Sequence, residues 1–281
     1  MSAIITNPQP LVSVGLASEE AIQSDQRYFT GAAREDDLPG AHIYFAPGYS
    51  HLSAGCVAYL EEPASIQSEP RAWIGQLESR LRRWGARWSR VYVRPQHNTL
   101  ESAFTWWNYE CRREWILFAP AAEFAGWDDN FVMHPIRSNL DWSANLHFHQ
   151  SVLQSAHAKG SDGYEYQAAQ WVAFMRQKSE AGAMEPYQLW FQQQVIAEVS
   201  IMRNEHTLRL KNLTVSPAWR QRGIGRQVAS WLRSQAMGQG KAGVVVFTVE
   251  GSFSARAYFN AGFDPCGEIL EWSRDLSGKE S

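Results

Sequence analysis

The residues best suited to chemistry lie in one loop, within the segment Val215–Arg226, which reads Val-Ser-Pro-Ala-Trp-Arg-Gln-Arg-Gly-Ile-Gly-Arg. Gly223 and Gly225 have no Cβ atom, so the backbone there can turn tightly and aim several N–H groups at one point. Those donors, together with the positive end of a helix dipole, form an anion site. The loop also carries three arginines, Arg220, Arg222 and Arg226. Such cations suit a pyrophosphate, so the segment predicts a site for a diphosphate-bearing ligand.

Two common phosphate-binding motifs do not fit this loop. A nucleotide P-loop requires Gly-Lys-Ser/Thr, and no such residues follow the glycines. The dinucleotide fingerprint requires a third glycine three residues after the second, where Val228 stands, and it belongs to the first strand–helix turn of a domain. The alternative without a ligand is a glycine-containing helix start with solvated arginines.

The elements around the loop must position it. A strand is predicted at Thr207–Val215, and the helix after the loop places Ile224, Val228, Trp231 and Leu232 on one face. The apolar run Val244–Phe247 is typical of a central strand covered on both faces. A helical crossover implies that the two strands are parallel, with the ligand at their carboxyl ends. We expect a short helix at about 252–260 and a final hairpin through Leu270.

Two motifs resemble one known family. The pattern Val-x-Pro-x-x-Arg-x-x-Gly-x-Gly, after a strand and opening a helix, resembles the coenzyme A signature of the GNAT superfamily of acyl-CoA-dependent N-acyltransferases. Downstream, the segment Ala255–Phe263 resembles the later helix of that family, which ends in Tyr-x-x-x-Gly-Phe. The resemblance covers about residues 130–275. It implies an α/β (α+β) fold with a mixed central sheet flanked by helices.

The resemblance also implies roles for particular residues. The strand residues Leu213, Thr214 and Val215 would pair with the pantetheine arm of acetyl-CoA and polarise the thioester carbonyl. Tyr258 would protonate the departing thiolate, which lowers the barrier for that step; the alternative is an aromatic ring packed under the Gly-Phe turn. The pyrophosphate would be held by the loop residues Arg220, Gln221, Arg222, Gly223, Ile224, Gly225 and Arg226.

The sequence departs from the family pattern at two places. Gly251 stands where an asparagine often precedes the tyrosine by seven residues, so a cofactor contact is either missing or supplied by Ser252 or Ser254. The strand before the loop carries Arg209 and Lys211 at the places where related enzymes that use an active-site base commonly have Glu or His. A cation cannot accept a proton from an ammonium substrate. The candidates are therefore Glu198 on the preceding strand or a water molecule that relays the proton. A polar residue at position 198 would be explained equally well by an exposed strand position without a catalytic role.

The first half of the chain is predicted to be a degenerate repeat of the second. Residues 55–118 repeat the order strand, long helix, strand, short helix, strand of residues 207–275, but the stretch 61–71 contains no glycine. We expect a degenerate GNAT-like domain without a coenzyme A loop at 1–125 and an acetyltransferase domain at 126–281. The first domain is hypothesised to cover the acceptor site or to support the fold.

Charge and composition exclude several classes of protein. The net charge is −3 and no long basic run is present, so nucleic-acid binding has no electrostatic footprint. No segment approaches the ~18 apolar residues of a membrane span, and the start lacks the pattern of a signal peptide. Three distant cysteines and the pair His147 and His149, which would share a face of an extended segment, do not make a metal site. The sequence predicts a cytoplasmic protein, monomeric or homodimeric, that needs no metal and contacts neither membrane nor nucleic acid.

These observations favour an enzyme that moves an acetyl group from acetyl-CoA to a primary amine. Direct transfer within a ternary complex is expected, with a small-molecule amine as the favoured acceptor. The alternatives are a non-catalytic acyl-CoA-binding regulator, which the missing strand carboxylate favours, and a protein lysine or N-terminal acetyltransferase.

Overall fold

The computed structural model describes residues 12–30, 34–62, 66, 69–128, 130–156 and 164–277. Within these ranges the helices are α1 Val14–Thr30, α2 Pro70–Arg83, α3 Glu101–Trp106, α4 Asn139–Ala156, α5 Tyr164–Glu180, α6 Ile224–Gly238 and α7 Phe253–Asn260. The strands are β1 Arg34–Leu38, β2 Ala41–Phe45, β3 Cys56–Leu60, β4 Trp88–Val93, β5 Glu110–Pro120, β6 Phe131–Pro135, β7 Glu185–Phe191, β8 Gln194–Arg203, β9 Thr207–Val215, β10 Gly243–Val249 and β11 Asp264–Asp275. One-turn 3₁₀ helices occupy Pro95–His97 and Pro217–Trp219.

All of these strands belong to one sheet, in the order β1-β2-β3-β4-β11-β5-β10-β9-β8-β7-β6. The pairs β3/β4 and β9/β10 are parallel, and the other neighbours are antiparallel. A parallel pair needs a crossover connection, and α2 and α6 provide one each. The predicted mixed α/β fold, a central sheet flanked by helices, is confirmed.

The two halves of the chain exchange their last strands. Strand β5 of the first half lies between β11 and β10, and β11 of the second half lies between β4 and β5. The sheet is therefore roughly symmetric about the β11/β5 pair. The division at 125/126 separates segments of the chain but not two separate sheets, and it stays a prediction. The expected final hairpin is wrong, because β11 is one continuous strand that pairs with β4 on one edge and β5 on the other.

Helix α1, which the sequence analysis did not predict, covers the middle of the sheet. It contacts strands of both halves, among them β3, β5, β9, β10 and β11. Its buried residues Ala17, Ala21 and Tyr28 belong to the core on this face, which also includes residues of α4 and α5. The opposite face is covered by α2 and α3 over the first half and by α6 and α7 over the second.

Helix α4 corrects the expectation that His147 and His149 lie on an extended segment. The helix begins at Asn139, so both histidines lie within it. Its first turn is capped by Asp141, whose Oδ2 accepts hydrogen bonds from the N–H groups of Arg137 and Ser138 at 2.9 and 2.7 Å. Such caps satisfy N–H groups that have no partner within the helix. Two positions apart on a helix, the histidines do not share a face.

The two parallel pairs differ at their carboxyl ends. Strands β9 and β10 pair only as far as Leu210 and Val246, after which they diverge. A bulge then interrupts β9, with Asn212 in the left-handed region at φ 56°. In the first half, by contrast, β3 and β4 stay paired to Leu60 and Val93, their last residues. An open wedge between parallel strands is therefore found at β9/β10 and not at β3/β4.

Candidate active site

The loop between β9 and α6 is folded so that its N–H groups are left free. Gln221 and Gly223 have left-handed φ angles of 61° and 79°. Left-handed residues in such a loop curl successive N–H groups around one concavity. Among the described residues, none accepts a hydrogen bond from the backbone N–H groups of residues 221–226. The first turn of α6 also has no acidic residue to compete with an anion.

Together these N–H groups border a groove of about 610 Å³ between β9, the loop and α7. Every residue predicted to bind the cofactor lines this groove except Thr214, which lies opposite Glu198 on the neighbouring strand. The lining residues from that prediction are Leu213, Val215, Arg220, Gln221, Arg222, Gly223, Ile224, Gly225, Arg226 and Ser254. Phe253, which is 66% exposed, adds an apolar wall. Their roles toward a cofactor stay predictions.

Side-chain contacts within the loop hold two of its arginines. The Arg220 Nε donates to the carbonyl of Val215 at 3.2 Å. The guanidinium of Arg222 lies 5.2 Å from the centre of the Trp219 ring. Both cations therefore lie close to the loop backbone, where they add positive potential to that of the free N–H groups.

A second cavity, of about 370 Å³, lies on the α1 side of the sheet. It shares Leu213, Ser254 and Tyr258 with the groove. The two spaces meet where β9 and β10 diverge. The bulge at Asn212 has a direct effect here: Lys211 points toward Asp25 of α1, whereas Leu213 packs toward Gly225 at the start of α6. The wedge is thus lined from both sides of the sheet, and we call it the passage.

Tyr258 lies at this passage. It is 9% exposed, and no described residue forms a hydrogen bond with its hydroxyl. Burial raises the pKa of Tyr258, so the phenol keeps its proton at neutral pH. Its ring also lies 5.4 Å from that of Phe263, so it packs under the Gly-Phe turn as well as lining both spaces. Ser252 caps α7 by accepting from the Ala255 N–H, so of the two serines it is Ser254 that faces the groove.

Buried charges from both halves line the cavity. The Asp25 carboxylate forms ion pairs with Lys211, at 2.6 Å, and with Arg209, and it accepts a hydrogen bond from the Tyr59 hydroxyl. Although burial alone would raise it, the two cations hold the pKa of Asp25 far below its usual range. Burial lowers the pKa of Lys211 to about 8, so its amine remains mostly charged at neutral pH.

Glu114 on β5 is a carboxylate that also lines the cavity. Burial, reinforced by the nearby negative charge of Glu271, raises the pKa of Glu114 to about 7. The Glu271 carboxylate itself accepts hydrogen bonds from Arg90 and from Tyr92, the latter at 3.1 Å. Among the described residues, none donates a hydrogen bond to the Glu114 carboxylate. Its pKa is therefore that of a group able to exchange a proton near pH 7.

Glu198 lies in different surroundings from those expected. It is 1% exposed, so the exposed strand position considered from the sequence is wrong. Its Oε2 accepts hydrogen bonds from Asn145, at 2.8 Å, and from His149, both on α4. It lines neither the groove nor the cavity. These contacts describe a buried polar network between β8 and α4.

Sequence reasoning missed the contribution of the first half to this site. Asp25, Arg90 and Glu114 all line the cavity and all precede residue 125. The available signal was a charge within or beside an apolar run: Glu114 directly precedes Trp115–Phe118, and Arg90 lies within the strand Trp88–Val93. Such a charge becomes meaningful only when the pairing of the strands is known.

Among the described residues, no group of three or more His, Cys, Asp or Glu side chains is placed to hold a metal ion. None of the three cysteines lines the groove or the cavity, and burial raises the pKa of Cys56 and of Cys266 to about 12. No described helix is both long enough and apolar enough to span a bilayer.

Comparison with known structures supports the fold over nearly the whole chain. A conserved protein of unknown function from Staphylococcus epidermidis superposes with a TM-score of 0.65 at 12% identity, covering 92% of this chain and 99% of that one. A GCN5-related N-acetyltransferase from Kribbella flavida gives 0.60 at 10% identity, covering 95% and 96%. A tandem GNAT protein from the clavulanic acid biosynthesis pathway gives 0.56 at 10% identity, covering 97% and 92%. At these identities the likeness concerns the fold alone.

Sequence comparison is more specific for the second half. A search of curated proteins finds no match. The sequence model of the acetyltransferase (GNAT) family matches residues 151–263, a range that includes β7 to α7 and with them the loop, the wedge and Tyr258. Residues 151–263 are therefore similar to the acetyltransferase (GNAT) family, and the fold of nearly the whole chain resembles that of a tandem GNAT protein.

Proposed function

We propose that the protein transfers the acetyl group of acetyl-CoA directly to the primary amine of a small molecule, within a ternary complex. One observation carries this proposal: the groove and the cavity meet at Leu213, Ser254 and Tyr258, where two parallel strands diverge. Such a passage allows one ligand to approach from each side of the sheet. Reactants held in this way react without a covalent enzyme intermediate.

The chain offers acetyl-CoA two kinds of contact. The free N–H groups of residues 221–226, at the start of α6, would bind the pyrophosphate. Beyond Leu210 the β10-facing edge of β9 has no strand partner, so the backbone of residues 213–215 can pair with the pantetheine arm. When bound, acetyl-CoA supplies an activated thioester, and these contacts direct it toward the wedge.

The residues at the wedge account for the proton transfers. The amine nitrogen attacks the thioester carbonyl carbon, so that a C–N bond forms and the C–S bond breaks. The Tyr258 hydroxyl donates its proton to the departing thiolate. The amine reacts in its neutral form, and Glu114, as a carboxylate, accepts the proton that the nitrogen loses as the C–N bond forms, through water where it is not in direct contact. That proton returns through water to the Tyr258 oxygen, so both groups recover their starting forms. Each such transfer is worth about 10²–10⁴-fold in rate.

Glu114 suits the role of base better than Glu198. It lines the acceptor cavity and has a pKa of about 7, which lets it act as a base near neutral pH. Glu198, by contrast, is held by Asn145 and His149 away from the cavity lining. The sequence-based assignment of Glu198 is thus replaced in this proposal by a residue from the first half.

The size of the cavity favours a small acceptor. A volume of about 370 Å³, bounded by α1 and the sheet, lies within the usual range of small-molecule pockets. An extended polypeptide would need a groove open at both ends. A regulator that binds acyl-CoA without turnover does not need a base. In such a protein the buried Glu114 carboxylate would destabilise the fold without contributing to function.

The first test is calorimetric titration of acetyl-CoA into the wild type and Gly225→Asp. A side chain at Gly225 meets Leu213 at an ordinary contact distance of 3.7 Å, so the variant should fold. The new carboxylate repels a pyrophosphate, and we expect binding to fall by at least about tenfold. Gly225→Asn is the matched control, because it adds similar bulk without charge and should lose less affinity.

Turnover is then measured as CoA release with a panel of primary amines. Acetyl-CoA binding with turnover supports the enzyme, and binding without turnover of any amine supports the regulator instead. Equal affinity of wild type and Gly225→Asp, or no acetyl-CoA binding at all, would contradict the proposed cofactor site.

A further inference from the structure

Two cations in the acceptor cavity share one carboxylate. Arg209 and Lys211 both form ion pairs with Asp25, and among the described residues no second carboxylate lies within ion-pair distance of either. The side chains are only 3% and 15% exposed. Arg90, the third cation of the lining, is paired with Glu271. Buried charges are normally paired. Only one carboxylate of the described residues is in contact with these two cations, since Glu114 lines the same cavity but lies beyond ion-pair distance of both.

The Arg209 guanidinium is also incompletely bonded. Its terminal nitrogens bond to Asp25, to the carbonyl of Ala21 and to Ser24. Its Nε is buried and no described residue accepts a hydrogen bond from it. The side chain lines the cavity and stacks on Phe247 at 4.2 Å. A buried donor without a partner is costly, and a ligand oxygen would satisfy it.

The second cation lies close to the passage. Lys211 is two residues before Leu213, which corresponds to about 6–7 Å of extended chain, and the bulge at Asn212 lies between them. The Lys211 Nζ is 4.1 Å from the centre of the Tyr28 ring, which holds it against the cavity wall. One small molecule can therefore place an anionic group here and an amine at the wedge.

We infer that the acceptor carries a carboxylate as well as the reacting amine, and that Lys211 and Arg209 bind this carboxylate. This inference rests on the proposed function and narrows it to amino-carboxylic acids of amino-acid size. The ligand carboxylate supplies a counter-charge in direct contact with the two cations and an acceptor for the Arg209 Nε. It also orients the amine toward the passage and Glu114, while the rest of the cavity, toward Arg90, accommodates the remainder of the molecule.

The experiment compares matched acceptors with the full-length protein. Each of several L-amino acids is tested against its own carboxamide, and CoA release is followed to obtain kcat/KM. Rates are expressed per neutral amine, because a carboxamide lowers the pKa of the neighbouring amine. We expect the acids to be preferred by at least about tenfold, as for a charged hydrogen-bonded contact. Carboxamides used as well as the acids would overturn the inference.

Variants of Lys211 localise the effect. Lys211→Met should lower the acid-to-amide ratio about tenfold, and Lys211→Arg should restore much of it because the charge returns. Lys241→Met is the matched control, since Lys241 bonds to the carbonyls of Asn204 and Glu205, away from the cavity, and should keep the wild-type ratio. An unchanged ratio in Lys211→Met contradicts the inference. If Lys211→Met does not fold, the wild-type comparison alone still decides.

The outcomes separate the two proposals. Turnover of amines without a preference for acids contradicts the carboxylate site and leaves the acetyltransferase in place. Failure of every amine, with or without acetyl-CoA binding, contradicts the proposed function and the carboxylate inference with it.

Discussion

Replacing Glu114 with glutamine tests the proposed base most directly. Glutamine keeps the shape of the side chain and removes its ability to take a proton. With a pKa of about 7, the fraction of Glu114 that is ionised rises from about one tenth at pH 6 to about nine tenths at pH 8. Per neutral amine, the wild-type rate should therefore rise about tenfold over this range and then level off. The Glu114→Gln rate should be lower by about 10²–10⁴-fold and flat with pH.

The same substitution has a consequence for stability, with a defined sign. The folded state raises the pKa of Glu114 from 4.5 to about 7, so it binds this proton more tightly than the unfolded chain does. The wild type is therefore stabilised fully below pH 4.5 and loses that stabilisation as pH rises to 7. The shift corresponds to at most about 3 kcal/mol. Glu114→Gln should be the more stable protein at pH 8, and the difference should disappear near pH 4.

Steady-state rates from pH 5.5 to 9 and urea unfolding at pH 4, 6 and 8 measure both effects. Glu198→Gln is the matched control, because it makes the same change at the carboxylate held by Asn145 and His149. We expect it to lose stability and to keep the wild-type pH profile. Glu114 is not the base if Glu114→Gln retains the pH dependence, or if Glu198→Gln is the variant that abolishes it.

Two further predictions concern the proton donor and the exchanged strands. Tyr258→Phe should lower kcat by about 10²–10⁴-fold and leave acetyl-CoA affinity nearly unchanged, since it removes only the hydroxyl. Stopped assays measure kcat and calorimetry measures the affinity. A kcat near that of the wild type would assign Tyr258 to packing. A fragment of residues 126–281 should not fold, because β10 and β11 both lose their partner β5; circular dichroism and gel filtration of the fragment check this, and a folded, active fragment would show that the first half is dispensable.

The geometry of the glycine loop could be predicted from the sequence, because its determinants are local. Gly223 and Gly225, the arginines and the periodic helix that follows lie within one short segment, and the backbone of that segment has the free N–H groups that the proposed anion site requires. The pairing of β9 with β10 also followed from local order, since a helical crossover between adjacent strands leaves them parallel. Tyr258 lies close behind on the next helix.

The acceptor side depended on contacts that sequence order does not reveal. Residues 25 and 211, or 114 and 249, are far apart in the chain and become neighbours only when α1 packs on the sheet and β5 inserts beside β10. The prediction of two tandem domains implied that each half of the chain completes its own sheet. The exchange of β5 and β11 brought the Glu114 carboxylate from the first half into the site.

What the sequence by itself determined is therefore the glycine loop that opens α6, the mixed α/β class and the repeat of strand and helix order in the two halves. The tertiary structure decided which charges line the cavity. Glu198 was placed in a buried network by the packing of α4 on β8, and Glu114 was placed in the cavity by strand exchange. The physical reason is that backbone geometry follows from neighbouring residues, whereas the pKa and exposure of a side chain follow from whatever packs against it.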